Sequence, residues 1–228
     1  MSAYKSKLAP QLPPEPLPPA RRLPVQERSF QTVMRVIDAA SSLLRTTPLE
    51  DVTTTRIAAE ADLSVGALYR FFPDKQSIID AVAVRHVGDF RSLLEISVMP
   101  VVESQFQDLA TFDPALILDR VIDAYAAYLL EHPDFRAISF GRHISAATHE
   151  REASPQTGLP SLLKNFMLER LGIPNTPELD LKLRVVSEAG ERLIAYAFEQ
   201  PTDDERNLII AELKKLLATY LFGSDTHP

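Results

Sequence analysis

Apolar residues recur every three to four positions over most of the 228-residue chain, with no stretch of strict alternation, so the pattern predicts helices almost throughout. From about Gln26 to Arg45 they fall at Phe30, Val33, Met34, Ile37, Ala40 and Leu44, the spacing of a one-faced amphipathic helix that Thr46-Thr47-Pro48 ends. A short helix with Ile57, Ala58 and Ala61 on one face follows, its start capped by the Thr53 hydroxyl. The pattern breaks at Asp62-Leu63-Ser64. Asp62 suits the left-handed backbone of a sharp helix exit, and Ser64 suits the cap of a second short helix from Val65 to about Phe72. Leu68, Phe71 and Phe72 anchor that helix, and Val52, Ile57, Leu63, Leu68 and Phe72 are expected to bury Phe30, Ile37 and Leu44 of the first.

Pro73 and Asp74 open a long helix that runs without a breaker to about Val98, before Pro100. At 1.5 Å per residue it spans roughly 40 Å, enough to begin in one domain and end in another. Pro100 to Phe112 reads as a short helix. Asp113-Pro114 opens a longer one that ends before Pro133, another follows to about Ala147, residues 148 to 160 read as loop, and a helix through Leu162 and Phe166 closes at Gly172. Two long helices finish the chain, Thr176 to Glu199 and Thr202 to Phe222, separated by Gln200-Pro201. Their apolar faces are wide. Leu183, Val186, Leu193 and Ala197 on the first, with Ile209, Leu213, Leu216, Leu217 and Tyr220 on the second, are expected to meet a second copy as a four-helix interface; a monomer with a thicker core is the alternative.

Composition agrees with an all-α fold: 45% hydrophobic and 24% charged residues are ordinary for a globular protein, and seven glycines are few for a β-rich one. Without cysteine, no disulfide framework and no thiolate metal site can exist. No apolar leader and no run of ~18 apolar residues is present, so a cytoplasmic protein with no membrane partner is expected. Catalysis has no visible apparatus: Gly66 is isolated, no serine stands in a G-x-S-x-G turn, and His86, His132, His143, His149 and His227 include no i, i+4 pair. Neither enzyme activity, nor a cofactor, nor a metal is expected.

Two short helices joined by a tight turn form the outline of a helix-turn-helix, whose second helix enters the DNA major groove; an ordinary helical hairpin has the same outline. Thr53, Thr55, Ile57, Ala58, Ala61, Ser64, Gly66, Leu68, Tyr69, Phe72 and Lys75 stand where the TetR family of bacterial transcriptional regulators has its signature residues, and residues 28 to 80 resemble that family. Asp62 departs from the glycine usual in the turn.

The resemblance implies an N-terminal three-helix DNA-binding domain with a helix-turn-helix, and a C-terminal helical domain for ligand binding and dimerisation. The expected divisions are a proline-rich arm over 1–25, the DNA-binding domain over 26–75, the regulatory domain over 76–222 and a tail over 223–228. Seven prolines between Pro10 and Pro24 keep the arm from forming helix, and its Lys5, Lys7, Arg21 and Arg22 can reach DNA or remain in solvent.

At the DNA end, Thr53, Thr55, Ser64, Tyr69 and Lys75 offer donors to phosphates, with Val65, Gly66, Ala67 and Arg70 placed to meet bases. The net charge of −7 divides unevenly: residues 1–90 hold 11 Lys and Arg against 10 Asp and Glu, so affinity has to rest on a few placed contacts. Phe90, Phe106, Tyr125, Tyr128, Phe140, Phe166 and Met167, with His143, are candidates to line an apolar ligand pocket, though aromatics at helical spacing also serve as plain core. The function expected is a homodimeric regulator, a repressor released from a palindromic operator by a small apolar or aromatic effector. An activator, or a helical binding or enzyme domain whose helix-turn-helix is only structural, remains the alternative.

Overall fold

The computed structural model describes residues 27–105, 113–140, 143–156 and 158–223. Among these the regular structure is entirely helical, as the spacing of apolar residues predicts. Helix α1 (Glu27–Thr46) packs on α2 (Thr54–Glu60), on α4 (Lys75–Leu93) and on α7 (Pro133–Phe140). Its buried face is wider than the pattern suggests: Val36, Ala39 and Ser41 are enclosed beside Val33, Ile37 and Leu44, because α4 and α7 cover the side that the short helices leave open.

Helices α2 and α3 (Val65–Tyr69) form the tight pair. Thr53 Oγ1 accepts from the Arg56 amide, and Ser64 Oγ from the Ala67 amide, so each hydroxyl satisfies an amide that has no partner within its helix. Between them Asp62 sits at φ +52°, the Asp62 amide donates to Ala59 O at 3.1 Å and the Leu63 amide to Ala58 O at 2.8 Å. That is a left-handed helix stop with its carbonyls satisfied, carried by aspartate in place of glycine. The Arg35 guanidinium on α1 donates to the carbonyls of Ala61 and Asp62 and holds the turn from behind. Ile57, Ala58, Ala61, Leu68 and Phe72 are buried beneath.

Asp74 caps α4, its carboxylate accepting from the Ser77 amide while the Ser77 hydroxyl donates to the Asp74 carbonyl. Pro100 does not end the long helix as the sequence suggests. One wide turn at Leu94–Val98, in which the Met99 amide reaches back to Leu94 O, passes directly into α5 (Met99–Gln105). Proline crowds the carbonyl four residues before it and lacks an amide proton; a wide turn relieves both.

Helix α6 (Ala115–Glu131) follows the expected division, but α7 ends at Phe140 instead of continuing to about Ala147. Ser145 starts α8 (Ala146–Glu152) by accepting from the Thr148 amide, so part of the expected loop is helical. Then come α9 (Pro160–Glu169), α10 (Pro177–Phe198) and α11 (Asp203–Phe222), the last two packed lengthwise and capped by Thr176 and Thr202. One continuous apolar core runs from Val33 to Leu221, with a smaller cluster at Val102, Ile117 and Phe166. None of the described helices is long and apolar enough to cross a membrane.

Candidate functional site

The outer face of α2 and α3 is polar and open. Thr53, Thr55, Ser64, Gly66, Tyr69 and Arg70 are exposed, and Val65, Ala67 and Lys75 are half-buried. Apart from its chain neighbours and its own helix backbone, nothing lies within 4 Å of where a Cβ on Gly66 would stand, so the backbone there is accessible. Tyr69 OH lies 3.0 Å from Thr54 Oγ1, a residue the spacing does not single out; the bond ties the phenol of α3 to the first turn of α2. The Arg70 amide closes the end of α3 on Ala67 O at 3.2 Å, while its side chain makes no hydrogen bond or ion pair with the described residues, leaving the guanidinium available to a ligand. Lys75 is partly committed: its Nζ donates to Leu49 O at 2.5 Å, and an ammonium keeps two further protons.

The remaining helices enclose an apolar cavity of about 210 Å³. Ala83, Val87 and Phe90 of α4 form one wall, and Phe135 and Ser139 of α7 another. Tyr125 and its neighbours on α6, Thr148 and His149 of α8, and Leu183, Val186, Gly190 and Glu191 of α10 complete it. Of the aromatic candidates, Phe90 and Tyr125 line this cavity; Phe106 lies outside the described residues. Tyr128 and Met167 are buried without lining it, Phe166 belongs to the smaller cluster, and Phe140 lines an adjoining, more polar hollow. His143 is exposed; its carbonyl accepts from Gln76 Nε2 at 2.6 Å, so it serves the α4 terminus and does not line the cavity. Ser139, Thr148, His149 and Glu191 were not assigned to this site from the sequence. A serine or glutamate on an amphipathic helix gives no periodic signal of facing inward.

Polar groups gather where cavity and hollow meet, since Ser139, Ile144, His149 and Glu191 line both. Ser139 is buried and its hydroxyl has no partner among the described residues. His149 stands between two carboxylates, Nε2 at 3.1 Å from Glu188 and Nδ1 at 3.6 Å from Glu191. Burial first, and then the charge of Glu191, push the Tyr125 phenol well above its ordinary range, so it remains protonated.

A second polar cluster sits deeper, between α1, α4, α6 and α7. Asp134 accepts from the Ser41 hydroxyl and lies 3.1 Å from Arg45 Nη1 and 2.9 Å from His86 Nε2. The other nitrogen of His86 is 2.9 Å from Tyr128 OH, and its ring stacks on Phe135 at 5.0 Å. Burial alone would raise the Asp134 carboxyl, but bonds from His86 and Ser41, with the His86 charge, hold it well below the ordinary range. His86, His132 and Asp134 place potential metal-ligand atoms within 4.8 Å of one another, yet both Asp134 oxygens are already engaged, one of them by a guanidinium. Phe90 touches both Tyr125 and Tyr128, at 5.1 and 5.3 Å between ring centres, so contacts run unbroken from the cavity wall to α1.

On the last two helices, Leu183, Val186, Ala197, Leu213 and Leu217, expected at an interface between copies, are buried inside the single chain, while Leu193 and Ile209 are half-buried. Leu216 and Tyr220 are exposed, as are Leu181, Val185, Tyr196 and Leu208.

Comparison with known proteins places both halves in one family. The family described as "Bacterial regulatory proteins, tetR family" matches residues 36–82, and that described as "Tetracyclin repressor-like, C-terminal domain" matches residues 113–221. A comparison with curated protein sequences gave no significant match. Among solved structures, a TetR-family transcriptional regulator from Streptomyces coelicolor is 26% identical, with a TM-score of 0.60 over 83% of this chain and 97% of that one. A TetR regulator from Rhodococcus sp. RHA1 shares the fold at 18% identity and a TM-score of 0.62, over 87% of this chain and 100% of that one. RolR in complex with resorcinol shares it at 20% identity and a TM-score of 0.59, over 88% and 97%. Proteins of this family are DNA-binding transcription factors and not enzymes. With its helix-turn-helix and its cavity-bearing C-terminal half both matched, this chain belongs to the TetR family of bacterial transcriptional regulators.

Proposed function

We propose that the chain is a repressor that holds a palindromic operator as a homodimer and leaves it when a small apolar or aromatic molecule fills the cavity between α4, α6, α7, α8 and α10. The observation that carries this is the course of α4: Lys75 at its start borders the exposed α2–α3 face, and Phe90, roughly 22 Å along it at 1.5 Å per residue, forms the cavity wall. Gln76 and Asp80 supply a second link. They bond the His143 carbonyl and the Ser145 amide, the residues that lead into α8 and its cavity-lining Thr148 and His149. A ligand that displaces α8 or Phe90 therefore acts on the first turn of α4.

Two recognition helices must stand about one DNA turn apart, ~34–36 Å or a multiple of it, and such a displacement changes that spacing. Phosphates are assigned to Thr53, Thr55, Ser64, Tyr69 and Lys75, bases to Val65, Gly66, Ala67 and Arg70. Resorcinol in RolR is a one-ring molecule of the size class this cavity takes. For the dimer, the exposed row Leu181, Val185, Leu208, Leu216 and Tyr220 supports a contact that leaves the single-chain core intact.

Selection of bound genomic fragments, followed by gel shift with and without candidate effectors, tests the proposal. Specific retention that an effector abolishes is expected, with operator DNA weakening effector binding by the same factor. Absence of specific retention at low salt removes the regulator role. Leu216→Glu is expected to give a folded monomer in sedimentation with weakened operator binding, whereas Leu213→Glu, buried in the chain, is expected to unfold it; a Leu216→Glu dimer moves the interface elsewhere.

A further inference from the structure

The cavity restricts what can enter it by size and by charge. A cavity of about 150 Å³ lined by aliphatic and aromatic side chains already takes benzene. The 210 Å³ here leaves room for one ring and a short substituent, and a longer body has to extend through the mouth. The inner walls, with Val87, Phe90, Leu94 and Phe135, offer the ring apolar contact.

The mouth offers the substituent two things. The Ser139 hydroxyl is buried and without a partner among the described residues, so a ligand hydroxyl or amino group that bonds it offsets a desolvation cost of the folded protein. The charged groups around it are unfavourable to an anion. Glu191 lines both cavity and hollow, and Glu188 and Glu199 line the hollow. Among the described lining residues the guanidinium is that of Arg192, which already holds Glu199 at 3.1 Å; Arg151, which lines neither space, holds Glu152 through Nε at 3.1 Å and keeps a buried Nη2 with no partner among the described residues. His149, the remaining positive candidate among the described lining residues, is shared by Glu188 and Glu191. A ligand carboxylate entering here loses water and meets carboxylates, with each cation among the described lining residues already engaged.

Taking this cavity as the effector site, as proposed above, we infer that the effector is a compact one-ring molecule, neutral or positively charged, whose hydroxyl or amino group bonds Ser139 while Glu191 rejects anionic analogues. Alcohol and amine share the donor chemistry that Ser139 and Glu191 recognise, and differ in whether the carboxylates add an ionic attraction.

The test is calorimetric titration of the full-length protein with four ligands matched in size: benzyl alcohol, benzylamine, toluene and benzoate. Either of the first two is expected to bind at least about tenfold more tightly than benzoate, and more tightly than toluene, since a site with a buried unpaired polar group discriminates against a ligand that cannot bond it. Benzylamine above benzyl alcohol identifies a cationic effector class, the reverse a neutral one. Ser139→Ala is expected to erase the advantage of the alcohol over toluene, and Glu191→Gln to narrow the gap between benzoate and the alcohol, with thermal melts showing both variants folded. Benzoate binding as tightly as the alcohol, no binding of any of the four, or preferences unaltered in both variants overturns the inference. Operator release is read separately by gel shift: binding of the alcohol or amine without release leaves the ligand class standing and removes the cavity from regulation.

Discussion

Helix α7 carries two buried polar side chains five residues apart, and they have opposite surroundings. Asp134 faces α1 and α4 and has Ser41, Arg45 and His86 around its carboxylate; Ser139 faces the cavity and has no partner among the described residues. A buried charge is tolerated only with its partners in place, so Asp134 is a junction that joins the helix-turn-helix unit, through α1, to the connector α4 and to the regulatory half. A lone buried hydroxyl is a smaller liability, and at the edge of a cavity it is available to whatever fills that cavity. One face of α7 thus secures the fold while another is left incomplete.

Substitutions at the two positions are expected to separate these roles, beginning with the largest effect. Asp134→Ala leaves His86 buried without its anion. It is expected to cost about 3 kcal/mol, the low end for a broken buried pair, because the half-exposed Arg45 can turn to water. For a chain of this length that is a fall in melting temperature of roughly 6–12 °C. A change within 2 °C, about the effect of 0.5 kcal/mol on the same scale, would mean that the junction holds little together.

Ser41→Ala removes one of the bonds to the same carboxylate and is expected to cost about 1.5 kcal/mol in denaturant unfolding, the value typical of a hydrogen bond to a charged group. The pH dependence has a definite sign. The Asp134 carboxyl is held below its ordinary value of 3.8, so its stabilisation is complete above that value and lost as the pH falls through the lower folded one. Wild-type unfolding measured from pH 5 to pH 2 is therefore expected to weaken more steeply than that of Asp134→Asn, and parallel curves would contradict the assignment. Ser139→Ala comes last. It is expected to change stability by less than about 0.5 kcal/mol, since no protein bond is lost; a cost equal to that of Ser41→Ala would show that the hydroxyl has a partner in the ligand-free protein, and the contrast between the two faces of α7 would fail.

Much of the fold was legible because it is set by near neighbours. Asp62 at φ +52° and the Ser64 cap follow from residues within one turn of the site they shape, and Thr53, Thr176 and Thr202 cap the helices they precede. The errors share one cause, a local signal answered by a different local solution. Pro100 is accommodated by the wide turn at Leu94–Val98, and Ser145 starts a helix within a polar segment that resembles loop.

The cavity was less legible. Phe90 and Tyr125 line it, but Tyr128, equally aromatic and three residues from Tyr125, turns to His86. On α10, Leu183 and Val186 line the cavity and Val185 faces out, although all three belong to the same apolar run.

The sequence by itself determined most of the helices, the caps at Thr53 and Ser64, the left-handed exit at Asp62 and the polar face of α2 and α3, because periodicity and capping depend on residues a few positions apart. Only the tertiary structure decided that Leu213 is core and Leu216 is surface, that Asp134 meets Ser41 and Arg45 from roughly ninety residues away, and that Ser139 has no partner among the described residues. Those outcomes depend on how distant helices cross, and an amphipathic face wide enough to serve two neighbours does not specify which of them it will meet.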